Sequence, residues 1–207
     1  MMSSKADFLK ETIAGRRSVR HFLNKTVPAD LITKVIEAGR LAPSPTNTQP
    51  WFFLVVSGEE KKDLSRLVAA EAKTIQLEGF RDIGLEAVRI LDEAPHVITV
   101  WNMKRLSKRL KKVKDLIGPR YYRNYERAER DSIACAIENM WLMAHALGLG
   151  MVWIMAGLGT ANRYQKKFDI DGEIVAHLGL GYASPAHPEE RTTRKPLEEI
   201  SWFFKKT

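Results

Sequence analysis

The chain has 207 residues, 44% hydrophobic and 28% charged, with a formal net charge of +8. That length supports one domain with a real core, and no apolar run reaches the roughly 18 residues of a membrane span. The single cysteine, Cys135, excludes an intramolecular disulfide or a cysteine-rich metal cage, and Met1-Met2-Ser3-Ser4-Lys5 lacks a secretory apolar stretch, so a cytoplasmic protein is expected.

Asp7–Ala14 reads as a short helix, with Phe8, Leu9 and Ile13 on one side and Gly15 near its end. Arg16-Arg17-Ser18-Val19-Arg20 follows, three guanidiniums and a hydroxyl in five positions. These cations repel one another unless an anion joins them, and guanidinium forks suit a phosphate. Alone, the cluster also reads as solvated surface. Pro28-Ala29-Asp30 opens a second helix, whose Leu31, Val35, Ile36 and Ala38 keep helical spacing until Gly39–Pro43. Ser44–Pro50 is rich in turn formers. Its Ser44, Thr46, Asn47, Thr48 and Gln49 can donate and accept hydrogen bonds together, as recognition of a flat heterocycle requires; it also reads as a plain connecting loop. Trp51–Val56 is a buried strand closed by Ser57-Gly58.

Glu59–Ala72 and Ala87–Glu93 read as helices, and His96–Trp101, introduced by Pro95, as a second strand. Residues 104–130 carry eleven basic and three acidic side chains, which accounts for the whole net excess. Lys104–Leu116 is expected to be helical and stopped by Gly118-Pro119. This segment reads as a solvated face, a lid that attracts anionic substrates, or an anion-binding patch. No zinc finger, RNA-binding signature or helix-turn-helix accompanies the charge, so no nucleic-acid partner is expected. Arg127–Leu147 is the longest helix, apolar through Ile133, Ala136, Ile137, Met140 and Ala144, and Cys135 is expected to pack inside. Met151–Met155 and Ile174–Gly181 give two more strands. In the tail, Trp202-Phe203-Phe204 are costly to leave wet, and a second subunit is one way to cover them. The sum is an α+β domain without repeats or linkers.

Several chemistries fail on context. Gly179-Leu180-Gly181-Tyr182-Ala183-Ser184 nearly fits a dinucleotide fingerprint, but Ser184 replaces the third glycine and Pro185 follows where a helix should open. There is no Walker lysine motif or nucleophile elbow. His21, His96, His145, His177 and His187 lack metal-ligand spacing and read as core or surface residues.

Four motifs in order carry a resemblance: Arg16-Arg17-Ser18-Val19-Arg20, the Ala42–Trp51 turn, His145-Ala146-Leu147-Gly148-Leu149-Gly150, and Arg194-Lys195-Pro196-Leu197-Glu198-Glu199. Together they resemble the nitroreductase family of FMN-dependent oxidoreductases. The resemblance implies one α+β domain over residues 1–207, with a mostly antiparallel central sheet of about four to five strands flanked by helices. It implies a basic helical insertion at about 102–125, a C-terminal tail at about 197–207, and an intertwined homodimer with FMN at the subunit interface. The implied activity is ping-pong reduction of nitroaromatic, quinone or similar conjugated acceptors, with NADH or NADPH as donor. A non-catalytic FMN-binding or sensing protein and a flavin-modifying enzyme are the alternatives.

Carried over by residue, Arg16, Arg17, Ser18 and Arg20 would hold the FMN phosphate and ribityl chain. Arg194, with Lys195 as its neighbour, matches a phosphate-binding arginine near the C-terminus. Pro43, Ser44, Pro45, Asn47 and Gln49 would reach the isoalloxazine edge from the opposite subunit. Met155, Ala156 and Gly157 match the stretch whose backbone faces the flavin, although many relatives have a glutamate or glycine pair there. No catalytic side chain and no metal are implied. The 102–125 segment, with Tyr121, Tyr122 and Tyr125, is expected to cap the pocket and select a planar anionic substrate.

Overall fold

The computed structural model describes residues 4–186 and 192–203. Four strands, β1 (Trp51–Val56), β2 (His96–Asn102), β3 (Gly150–Ile154) and β4 (Glu173–Gly181), form one antiparallel sheet in the order β1-β2-β4-β3. Around it lie α1 (Lys5–Gly15), α2 (Ala29–Arg40), α3 (Gly58–Thr74), α4 (Glu78–Glu93), α5 (Arg105–Leu110), α6 (Lys114–Ile117), α7 (Pro119–Ala146), α8 (Ala161–Phe168) and α9 (Leu197–Ile200). The expected α+β class and four strands are present.

The inner strands read as unbroken apolar runs because helices cover both faces of the sheet. All seven residues of β2 are buried. Its Ile98 and Val100 join Leu178 and Leu180 of β4 against Val35 of α2 and Ile133, Ile137 and Met140 of α7. On the other face, Val97 and Trp101 meet Leu64 and Val68 of α3 and Ala87, Ile90 and Leu91 of α4. Lys61 fastens the α3–α4 hairpin. Its buried Nζ donates to the carbonyls of Asp92 and Ala94, both at 2.7 Å, which satisfies acceptors left open at the end of α4.

Four expectations are corrected. Helix α7 begins at Pro119, so residues 119–125 belong to the long helix; Pro119 fits a first helical turn, and Gly118 before it takes φ 78. Lys104–Leu116 is two short helices joined by a tight turn at Lys111–Val113. Helix α4 starts at Glu78, nine residues ahead of its expected start, because its first turns expose Phe80 and Ile83 and show no buried stripe. Cys135 is exposed in this chain, one position off the inward stripe of Ile133, Ala136, Ile137 and Met140. Trp202 and Phe203 are exposed, and Phe204 lies outside the described residues. Among the described residues, no helix is long and apolar enough to cross a membrane.

The basic segment is held by a buried acid. Glu129 of α7 is fully buried and accepts from Leu106 N (2.7 Å), Ser107 N (3.3 Å) and Ser107 Oγ (2.6 Å). Glu129→Ala would leave those donors unpaired, at a cost of about 1–3 kcal/mol, and should speed proteolytic cleavage within 105–117. Ile137→Ala opens a cavity at the centre of the α7 core. It should cost about 2–5 kcal/mol in denaturant unfolding at fixed protein concentration.

Candidate functional site

The Arg16–Arg20 segment is fixed from both sides. Helix α1 ends against α7: a Cβ on Gly15 would come within 2.5 Å of His145 Nε2, so any other residue would push the imidazole aside. Arg16 lies 4.5 Å above the Trp141 ring and 3.7 Å from Glu138. Trp141 Nε1 donates to Arg17 O at 3.1 Å. The chain then runs beside β3 as an added short strand. Ser18 bridges Met151, Val19 N donates to Met151 O at 3.0 Å, and Val19 packs where a side chain on Gly150 would collide. Arg89 Nη2 reaches Arg20 O, while its guanidinium also engages Glu86, Glu93 and His21. Those carboxylates raise the Arg89 pKa further.

Arg20 opens onto a cleft of about 460 Å³ that also contains Met155 and Ala156, where the chain leaves β3. Val152, Ile154, Ala87 and Ile90 give it apolar walls. Gly157 lines a neighbouring cavity. It has φ 79, and Val68 occupies the place of any Cβ there, so glycine is required twice over.

Below this loop sits His177, fully buried on β4 opposite Ile154. Neither ring nitrogen reaches hydrogen-bonding geometry. Burial pushes its pKa down to about 4, and the Gly157 backbone offsets this in part. His145 is also lowered, by burial and then by Arg16 and Arg17, so a neutral imidazole backs the arginines.

The expected site residues fall into two groups. Arg16, Arg17, Ser18 and Arg20 follow one another along the segment that ends at the Met155–Ala156 cleft. The Pro43–Gln49 turn lines neither that cleft nor its neighbour. It is internally braced: Ser44 Oγ accepts from Gln49 N at 3.0 Å, and Thr48 Oγ1 donates to Pro45 O at 3.0 Å. Thr46, Asn47 and Gln49 all take left-handed φ values of 46–55°, a strained choice for three side-chain-bearing residues. Arg194 is exposed and, among the described residues, donates to Thr192 and Thr193, and Lys195 is exposed beside it. Arg191 and His187 lie outside the described residues. The 102–125 segment lies against α7 and the start of β4, with Lys108 paired to Asp171, and caps neither cavity at Met155 within its own chain. No group of acids, histidines and cysteines suited to a metal occurs among the described residues.

The α3–α4 wall and the anchors Trp141, Glu138 and His145 were not expected from the sequence. Only the apolar spacing of Phe80, Ile83, Ala87 and Ile90 could have signalled the wall.

A family model described as Nitroreductase family matches residues 13–182. The chain belongs to that family. It is 35% identical over 226 residues to a nitrobenzene nitroreductase of Ectopseudomonas oleovorans, covering 95% of this chain and 96% of the relative. It is 28% identical to a 5,6-dimethylbenzimidazole synthase of Rhodospirillum rubrum, covering 95% of this chain and 89% of that one. Its fold matches an FMN-dependent nitroreductase of Mycobacterium smegmatis in complex with NADPH, at a TM-score of 0.76 and 20% identity, covering 98% and 100% of the two chains. This nitroreductase-family chain thus has relatives with different chemistries on one scaffold.

The buried imidazole gives a pH signature. Unfolded histidine takes up a proton near pH 6.5, whereas folded His177 does so near pH 4. The unfolded state therefore binds more protons in that window, and stability falls as pH drops through it, by up to about 3 kcal/mol. His177→Leu should flatten that part of the pH dependence of the unfolding midpoint.

Proposed function

We propose that this chain is an FMN-dependent NAD(P)H oxidoreductase that reduces nitroaromatic, quinone or similar conjugated acceptors. The observation that carries the reading is the cleft where Arg20 meets the Met155–Ala156 loop, next to a segment bearing Arg16, Arg17 and Ser18. The residues fit FMN on two counts: three arginines within five positions suit a phosphate dianion, and the walls of Val152, Ile154, Ala87 and Ile90 suit a flat ring system. Bound there, FMN would supply two-electron transfer between nicotinamide donor and acceptor.

The protein's own residues then bind, orient and exclude water. Arg16, Arg17 and Ser18 would hold the phosphate and ribityl chain, with Arg194 and Lys195 added from the tail. The neutral His145 behind the arginines adds no further positive charge to an already crowded cluster. Arg20 and the backbone of Met155, Ala156 and Gly157 would face the ring. Apolar walls thin the water around these charges and so strengthen their pairing with an anion. The Pro43–Gln49 turn, remote from its own chain's cleft, would come from the second subunit of a homodimer. Exposed Trp202 and Phe203 favour that assembly. The NADPH complex of the Mycobacterium smegmatis protein supports a nicotinamide donor.

Anaerobic titration of the purified protein tests this reading. A yellow protein should be bleached by NADH or NADPH, and its colour should return when a quinone or nitroaromatic is added. A protein that takes up no FMN, or whose flavin neither nucleotide reduces, refutes it. Flavin consumed with oxygen would instead favour chemistry like that of the Rhodospirillum rubrum synthase. Arg17→Ala should weaken FMN binding by roughly tenfold to a hundredfold in a flavin-fluorescence titration, the range for one charge-assisted hydrogen bond.

A further inference from the structure

A second cavity, of about 340 Å³, adjoins the Arg20 cleft and shares Ile83, Met155 and Ala156 with it. Its walls are apolar: Ile75, Phe80 and Leu158 line it with Ile83, and Phe80 and Ile83 are 62% and 64% exposed. Among the described residues one ionisable side chain lines it, Glu71 of α3. That residue is half-buried, and its carboxylate lies over Gly159, where an added Cβ would meet Oε2 at 2.8 Å and Oε1 at 3.1 Å. The carboxylate makes no hydrogen bond or ion pair among the described residues.

A carboxylate without a partner in an apolar recess has lost part of its hydration and gained nothing in return. A ligand cation seated against it would restore the balance; a ligand carboxylate would worsen it. The surroundings point the same way. Asp82 and Glu86 lie in the adjoining cleft, where Arg20 is the one basic lining residue among those described. Glu86 is neutralised by Arg89, but Asp82 has no cationic partner among the described residues. No residue of the basic 104–130 segment lines either cavity, so its charge does not offset this local acidity.

We propose that this cavity is an acceptor-selecting subsite, in which Glu71 receives an ammonium or similar cationic substituent of a flat aromatic acceptor and rejects a carboxylate in the same position. The aromatic body would lie along Phe80 and Ile83. The word acceptor rests on the oxidoreductase reading; the charge preference does not. It also reverses the anionic selectivity that the basic segment suggests in the sequence.

Calorimetric titration of the purified protein with benzylammonium and with benzoate, neither of which is turned over, tests recognition without activity. Benzylammonium should bind about tenfold more tightly, as expected for one charge-assisted contact net of desolvation. Glu71→Gln should bring the two affinities close together, and Phe80→Lys, on the exposed wall, should reverse their order. In turnover, the ratio of kcat/KM for para-nitrobenzylammonium over para-nitrobenzoate should fall by a similar factor in Glu71→Gln, through KM. Equal binding of the two ligands by the unaltered protein, or a preference that survives both substitutions, overturns the proposal. Failure of both nicotinamide nucleotides to reduce the protein would refute the oxidoreductase reading alone, because the calorimetry decides the charge preference independently.

Discussion

The site depends on the clamping of Arg16–Arg20 between α7 and β3. Three guanidiniums in five residues repel one another, and an untethered segment would disperse them. Here the backbone is held: Trp141 Nε1 grips Arg17 O, Met151 O receives Val19 N, and Gly15 and Gly150 clear the space for both contacts. Packing therefore bears the cost of holding the cations together before any anion arrives. If the segment binds an anion as proposed, a site built this way would need little reorganisation on binding, which is what preorganisation means energetically. The same clamp sets Arg20 beside the end of β3, so the charged segment and the Met155–Ala156 loop share one cleft.

The inner strand β2 was legible because its burial is two-sided: His96–Trp101 reads as a buried run behind Pro95, and all of β2 is buried. Trp51–Val56 was legible as a strand from its aromatic and β-branched run, but not as a buried one, because β1 lies at the sheet edge with Phe52 exposed and Phe53, Leu54 and Val55 half-buried. Helix α4 was half legible: Ala87–Glu93 shows a buried stripe, whereas Phe80 and Ile83 face an open cavity and break it. Gly118-Pro119 was read as a stop, yet the same pair starts a helix equally well, because proline at the first helical turn surrenders only an unneeded donor. Cys135 shows the limit of composition: apolar neighbours in sequence do not place a residue inward when helical phase turns it out.

The site divides along the same line. Its motif residues stand out because their chemistry is unusual in sequence. Their supports do not, since Trp141 meets Arg17 across 124 positions and nothing local marks that pairing. The polar turn shows a subtler gap. A count of donors and acceptors credits all of Ser44 to a ligand, whereas one lone pair of its hydroxyl already accepts from Gln49 N, leaving chiefly its O–H to donate. Thr46 and Asn47 are exposed, both on a backbone held in the left-handed region. Strain of that kind persists when the surrounding structure enforces it, and it concentrates where function needs a fixed presentation.

Net charge proves a poor guide to the charge at the site. Arg105, Arg109, Lys111, Lys112, Arg120, Arg123 and Arg127 have no carboxylate within ion-pair distance among the described residues, and they cluster on α5, the following turn and the first half of α7. The cavities around Met155 lie across the sheet, under α3 and α4, and contain Glu71, Asp82 and Glu86 with Arg20. Over such a separation, solvent and salt screen the far cations, while a half-buried carboxylate acts at contact range. The adjoining cavities thus hold Arg20 with Asp82 and Glu86 in one and Glu71 in the other, with apolar walls between. On the proposed reading, a flat ligand lying along those walls would meet Arg20 near one edge and Glu71 near the other, so its own charge pattern would select its orientation.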